Sequence, residues 1–171
     1  MSEMQPTSTR VAARARHGEI AAVVISEVDG GLVGENLEDL AEYARAQGAE
    51  GHDVHEVRLC GCASCGGQVF VVHGDLEQHA ARRICRGCGA GHFIADSGMY
   101  WDDARYGIMV CECDGDGDEE DFNVAVAYSL YTGGAGIRAI AITSRCIGCG
   151  RLGYWDGWMI RGGETHLLDL A

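Results

Sequence analysis

The sequence predicts an α+β fold: an N-terminal helical segment, then two small antiparallel β units, each organised around four cysteines. Three observations lead there. An amphipathic run with signals at both ends precedes every cysteine. Beyond residue 55 the chain changes to short alternating segments and glycine-rich turns. The nine cysteines fall into two similar sets. The expected division is residues 1–55, 56–104 and 105–171.

The helix is read first. Leu37, Leu40, Ala41 and Ala44 recur at i, i+3, i+4 and i+7, which places them on one face. Asn36 suits the N-cap, acids crowd the first turns, Arg45 sits in the last, and Gly48 supplies the stop. The preceding apolar run Ile20–Val28 has no decisive period and is assigned to a further α-element. Thr7–His17, rich in Arg and Ala and free of acids, fits a frayed arm or the first turns of a helix, with a faint likeness to an organelle transit peptide.

The strands follow. Phe122, Val124, Val126, Tyr128 and Leu130 alternate with Asn123, Ala125, Ala127 and Ser129, a period of two. Thr132–Gly136 is a glycine-rich loop and Ile137–Thr143 a second strand, so the two form a hairpin. Val69–Val72 and Ile108–Val110 are weaker strand candidates.

The cysteine region repeats itself. Cys60-Gly61-Cys62-Ala63-Ser64-Cys65 leads into an apolar strand and then Cys85-Arg86-Gly87-Cys88-Gly89. Cys111-Glu112-Cys113 leads into the strand at Phe122 and then Cys146-Ile147-Gly148-Cys149-Gly150. Two thiolates three residues apart on a tight turn reach one ion, and Gly after the second tolerates the positive φ such a turn needs. Zn²⁺ takes four such ligands in a tetrahedron. Cys62, Cys65, Cys85 and Cys88 have the spacing of one four-cysteine site. Cys111, Cys113, Cys146 and Cys149 make a second, less orthodox because one arm has a single intervening residue. Two zinc ions are expected, with iron the competitor in a four-sulfur shell. A closed shell leaves no position for substrate, so the sites are expected to be structural and the protein non-enzymatic. Cys60 is the cysteine left over. It either exchanges roles with Cys65, as the repeat register allows, or stays a free thiol.

Charge limits the partners. The formal net charge is −13, from 26 acids and 13 bases, and every base is Arg. The absence of Lys resembles the codon bias of a GC-rich genome and is silent on function. Each Zn²⁺ held by four thiolates contributes a further −2, bringing the total to about −17. Nucleic acid is therefore a disfavoured partner, and only Arg82, Arg83 and Arg86 offer a local basic face. No stretch has the apolar length of a membrane span, and Met1–Arg16 lacks an apolar signal core. A cytoplasmic protein is expected.

Other residues invite weaker readings. Glu112–Asp121 holds seven acids but lacks the Gly and Glu that a calcium loop needs at its sixth and twelfth positions, filled here by Glu119 and Ala125. His92, four residues past Cys88, could replace a failed ligand. His52, His55, His73 and His79 have no ligand-like rhythm. Tyr100-Trp101 and Tyr154-Trp155 with Trp158 are aromatic clusters, read first as packing and second as anchors for a partner. No Ser/His/Asp constellation or defensible carboxylate pair is present.

The cysteine units resemble the zinc-ribbon superfamily. Cys85–Gly89, the following His92-Phe93-Ile94-Ala95-Asp96-Ser97, and Ser144–Gly150 look like tandem zinc-ribbon proteins of GC-rich actinobacteria. The resemblance covers about Leu59–Ile160. It implies two metal-binding knuckle pairs and no particular activity. The extra Cys60 and the acidic insertion after Cys113 depart from it. The expected function is a binding or adaptor module for a protein partner; a nucleic-acid-associated ribbon and a thiol redox switch are the alternatives.

Overall fold

The computed structural model describes residues 25–28, 30–113, 117–160 and 163–171. Among these residues, twelve strands and one α-helix are joined by turns and short 3-10 segments: β1 (Ile25–Val28), β2 (Gly31–Gly34), α1 (Leu37–Gln47), β3 (Glu56–Leu59), β4 (Phe70–Asp75), β5 (Ala80–Cys85), β6 (Gly91–Phe93), β7 (Gly107–Ile108), β8 (Cys111–Cys113), β9 (Gly117–Glu119), β10 (Phe122–Leu130), β11 (Ile137–Cys146) and β12 (Leu152–Met159). The pairings between these strands are antiparallel.

The helix begins and ends where its capping residues place it. The Asn36 side chain accepts from the Glu38 and Asp39 amides, and the Asp39 carboxylate accepts from the Asn36 amide at 3.3 Å, closing a capping box. Gly48 ends it at φ +76°. The buried face is Leu40, Tyr43 and Ala44, with Leu37 at its margin. Tyr43 therefore takes the place expected for Ala41.

The α-element assigned to Ile20–Val28 is corrected: Ile25–Val28 is a strand paired with Gly31–Gly34, and residues 20–24 lie outside the described residues. Gly30, just before the second strand, takes a positive φ, +81°, a conformation that glycine adopts without steric cost.

The expected β10–β11 hairpin is present, and β11 runs three residues further than the alternation suggested, as far as Cys146. Its two faces differ. Val124, Val126, Tyr128, Ile140 and Ile142 fill the main core. Ala125, Ala127, Ala139 and Ala141 line the other face, all completely buried under α1. Four methyl groups make a floor low enough for a helix carrying Leu40 and Tyr43 to lie close to the strands.

The strands do not separate into two small ribbons. An eight-stranded sheet runs β12-β11-β10-β4-β5-β6, with β3 also on β10 and β7 also on β4. The two cysteine-flanked hairpins, β4–β5 and β10–β11, join edge to edge through Phe70 and Phe122. An isolated two-stranded hairpin is marginal in water. Pairing their edges covers open backbone groups and lets both halves share one core.

Candidate metal centres

Three of the four cysteine arms fold into the same turn. In each, the first cysteine's amide donates to the carbonyl five residues on, and the amide four residues on donates back to its carbonyl. The pairs are Cys62 with Gly67 and Gly66, Cys85 with Ala90 and Gly89, and Cys146 with Arg151 and Gly150, at 2.7–2.9 Å. Gly66, Gly89 and Gly150 have φ of 74°, 75° and 75°, a conformation glycine adopts without steric cost. The fourth arm differs. Cys111 and Cys113 sit two apart on β8, which pairs with β9, so their side chains leave the same face of that strand.

These arms bring the cysteines together in two clusters that could hold a metal ion. One is Cys62, Cys65, Cys85 and Cys88; the other is Cys111, Cys113, Cys146 and Cys149; within each, all sulfurs lie within 4.8 Å of one another. The closer separations are 3.6 Å for Cys62–Cys88, 3.5 Å for Cys65–Cys85, 3.6 Å for Cys111–Cys149, 3.8 Å for Cys111–Cys113 and 3.6 Å for Cys113–Cys146. A disulfide would need about 2.05 Å. A tetrahedral shell with metal–sulfur bonds near 2.3 Å has edges of about 3.8 Å. The clusters have the second dimension. Glycine also keeps the space around the sulfurs: a Cβ on Gly67 would lie 3.1 Å from Cys85 Sγ and 3.3 Å from Cys65 Sγ.

The electrostatics point the same way. Burial opposes ionisation of Cys62, yet hydrogen bonding from His92 and from the Ser64 and Cys65 amides holds its thiol down to about 5. The Gly67 amide favours a thiolate at Cys65, but Cys85, Cys88 and Cys62 outweigh it and push that thiol up to about 12. In the second cluster Cys149 and burial push Cys113 up to about 12. Cys111 is raised chiefly by burial. Cys149 is lowered despite burial, by the Arg151 amide and its neighbouring thiols. In each cluster one thiol is held down while a neighbouring thiol is pushed up, the opposition expected of close-packed sulfurs, and a divalent cation among them would relieve it.

Cys60 stands apart. Its amide donates to the Val124 carbonyl, the side chain is 2 % exposed, and burial pushes its thiol up to about 11 although Arg83 opposes this. Of the two alternatives left by the spacing, the geometry groups Cys65 with the first cluster. His92 is not one of the four clustered groups, but its Nε2 lies 3.4 Å from Cys62 Sγ, within hydrogen-bond reach of the sulfur. The spacing past Cys88 drew attention to His92; only the β5–β6 register, which sets it opposite Arg83, aims it at Cys62.

The two clusters are neighbours. Cys85, Phe70, Phe122 and Cys146 form one row across β5, β4, β10 and β11. Asp121 connects the knuckles: its carboxylate accepts from Arg86 Nε in the first, and its carbonyl from the Ile147 amide in the second, at 2.9 Å. Glu119 accepts from the Glu120 and Asp121 amides of its own turn. Asp114 and Asp116 of the calcium-like run lie outside the described residues.

Arg82, Arg83 and Arg86 do not share a face. Arg82 lies over Trp101 and Tyr106 at 4.9 and 5.3 Å. Arg83 is 3 % exposed and donates to the Gly61 and Ala171 carbonyls. Arg86 is ion-paired with Asp121 and Glu120. Packing accounts for part of the aromatic clusters: Trp158 is buried and donates to Asp96 at 2.9 Å, and Trp155 covers Gly74. His73 stacks on Tyr106 and His79 pairs with Asp156, so neither joins a metal cluster. No helix among the described residues is long and apolar enough to cross a membrane. Compared with known proteins, the chain matches no family, no curated protein and no solved structure.

Proposed function

We propose that this chain is a tandem zinc protein of the zinc-ribbon type, in which two four-cysteine sites act as structural staples. Cys62, Cys65, Cys85 and Cys88 hold one ion, and Cys111, Cys113, Cys146 and Cys149 the other. The observation that carries this is the set of sulfur separations, 3.5–3.8 Å, which fit tetrahedral edges. Four thiolates close the shell, so the ion supplies folding energy and no reactive position. The role is non-enzymatic. Eight cysteines used as metal ligands, with none of the nine in a disulfide, accord with a reducing compartment such as the cytoplasm.

The proposed role is to present a rigid surface to a protein partner. Ile108, His73, Arg82 and Phe93 form one row across β7, β4, β5 and β6, and Trp101 and Tyr106 stack beside it. Phe93, Tyr106 and Ile108 are 38–49 % exposed. Aromatic and Arg side chains are the usual anchors of protein interfaces. A nucleic-acid partner is disfavoured by the charge of −13 and by the burial of Arg83 and pairing of Arg86.

The deciding experiment is elemental analysis, with an absorption spectrum, of protein purified without chelator. Two zinc ions per chain and a colourless solution are expected. A red protein carrying iron would replace staples by electron transfer, and metal-free folded protein would overturn the reading.

A further inference from the structure

The far end of the β10–β11 hairpin carries a different kind of site. A cavity of about 550 Å³ opens there, within the size range of small-molecule sites. Its wall includes His52, Asp53, His55, Tyr131, the Gly133-Gly134 turn and Arg138. β10 is nine residues long and begins opposite Cys146, so the cavity stands about 30 Å from that cysteine row.

Arg138 is the focus. Ser129 pairs with Ala139 and Leu130 with Ile137, so Arg138 is the extra residue of a β-bulge. Bulges recur where a strand re-aims one side chain. Its Nε is buried without a hydrogen-bond partner, and the guanidinium has no carboxylate partner among the described residues. Its ring contact among those residues is with Tyr131, at 5.9 Å. In a chain with twice as many acids as bases, an arginine without a carboxylate is unexpected. A buried donor left open calls for an acceptor. Arg82 and Arg83 also have open donors, but Arg138 alone of the three lines this cavity.

The rest of the wall is mostly of matching character. His55 Nδ1 accepts from the Leu130 amide at 3.1 Å, which leaves the proton of a neutral ring on Nε2. His52 adds a second imidazole. Gly133 and Gly134 both have positive φ, 82° and 70°, and bring backbone close to the cavity without side chains. Asp53 is the single carboxylate among the described residues of the wall and disfavours highly charged anions.

We propose that this cavity binds a small organic oxyanion, a phosphate or carboxylate group gripped by Arg138 with His52 and His55 beside it. A planar guanidinium fork suits either group. The site is independent of the metal clusters, and the function proposed for them does not use it.

The test is a ¹H–¹⁵N NMR titration of the intact, metal-loaded protein with inorganic phosphate and, separately, with succinate, against chloride at equal ionic strength. Saturating shifts are expected at His52, His55, Gly133, Gly134 and the Arg138 side chain. Arg138→Gln should weaken binding about tenfold or more. Arg138→Lys should keep a weaker response, and Arg86→Gln should bind as the wild type does. Tighter binding of phosphate identifies a phosphoryl ligand, and tighter binding of succinate a carboxylate. Shifts that never saturate in the wild-type protein, or that persist unchanged in Arg138→Gln, would overturn the proposal.

Discussion

Phe70 and Phe122 lie opposite each other across the junction of β4 and β10, and each has the first cysteine of a knuckle on its other side. Phe70 is fully buried and Phe122 is 3 % exposed. The two cysteine clusters therefore lean on one pair of rings. Phe122→Ala should cost about 3–5 kcal/mol and speed metal loss to a chelator at both clusters. Independent ribbons would lose metal faster at one cluster only, which a chelator time course with a zinc indicator distinguishes.

The N-terminal part is tied to the second knuckle. The Gly34 amide donates to the Gly150 carbonyl at 2.9 Å, and Arg145 donates to the Gly34 and Glu35 carbonyls. A Cβ on Gly150 would sit 2.8 Å from the Gly34 carbonyl oxygen, whereas one on Gly89, in the same turn at the same φ, meets nothing within 4 Å. Both Ala variants carry backbone strain of about 1–3 kcal/mol. Gly150→Ala should lose more stability than Gly89→Ala in urea. It should also accelerate hydrogen exchange in β2 and the first turn of α1.

Cys60 and Cys65 are separable by metal content. Cys60→Ala should retain two ions per chain at a cost of about 0.5–3 kcal/mol. Cys65→Ala should retain one. The opposite pattern would show that Cys60 is the ligand.

His92 acts through Cys62. Nε2 lies 3.4 Å from the Cys62 sulfur, and in the tautomer that carries its proton there the ring donates to the thiolate and relieves its negative charge. His92→Ala should leave the metal count at two but weaken the first site about 10–100-fold. The second site, read by cobalt substitution and competition with a chelator, should be unchanged.

Tyr128 sets an alkaline limit. Burial raises its phenol above the ordinary value, with Cys60 adding to the effect, and its hydroxyl reaches the Leu167 carbonyl at 3.4 Å. The sign follows from linkage. Below pH about 10 both states keep the proton and its contribution is complete. Above that the unfolded chain ionises first, so stability falls as pH rises towards the higher folded value. Tyr128→Phe lacks this loss. Urea midpoints from pH 8 to 11 should therefore converge as the wild type weakens.

Local patterns were legible in the sequence and long-range ones were not. Asn36 and Gly48 bound the helix because capping is decided within a few residues. The alternation from Phe122 marked its strand, and the Cys-x-x-Cys-Gly spacing marked the knuckles, because each turn closes on itself. The meeting of Phe70 and Phe122, 52 positions apart, leaves no periodic trace. Nor does the alanine floor: in a strand, Ala125 and Ala127 resemble the exposed half of an alternation, and only α1 on top makes them core. The short run around Ile25 had too few residues for its period to be read. Arg82, Arg83 and Arg86 looked like a patch because adjacency along a strand says nothing of which face each residue meets.

Within the clusters, the sulfurs are unequally placed. Cys62 and Cys85 are buried while Cys65 and Cys88 face water; Cys111 and Cys146 are buried while Cys113 and Cys149 are only partly covered. An incoming soft ion or chelating thiol meets an outer pair first, with the inner pair still fixed in the core. With the proposed ions bound, exchange would proceed by handover, one sulfur at a time, on a chain that stays folded. On that reading the first cluster, with the more open outer pair, is expected to be the faster door.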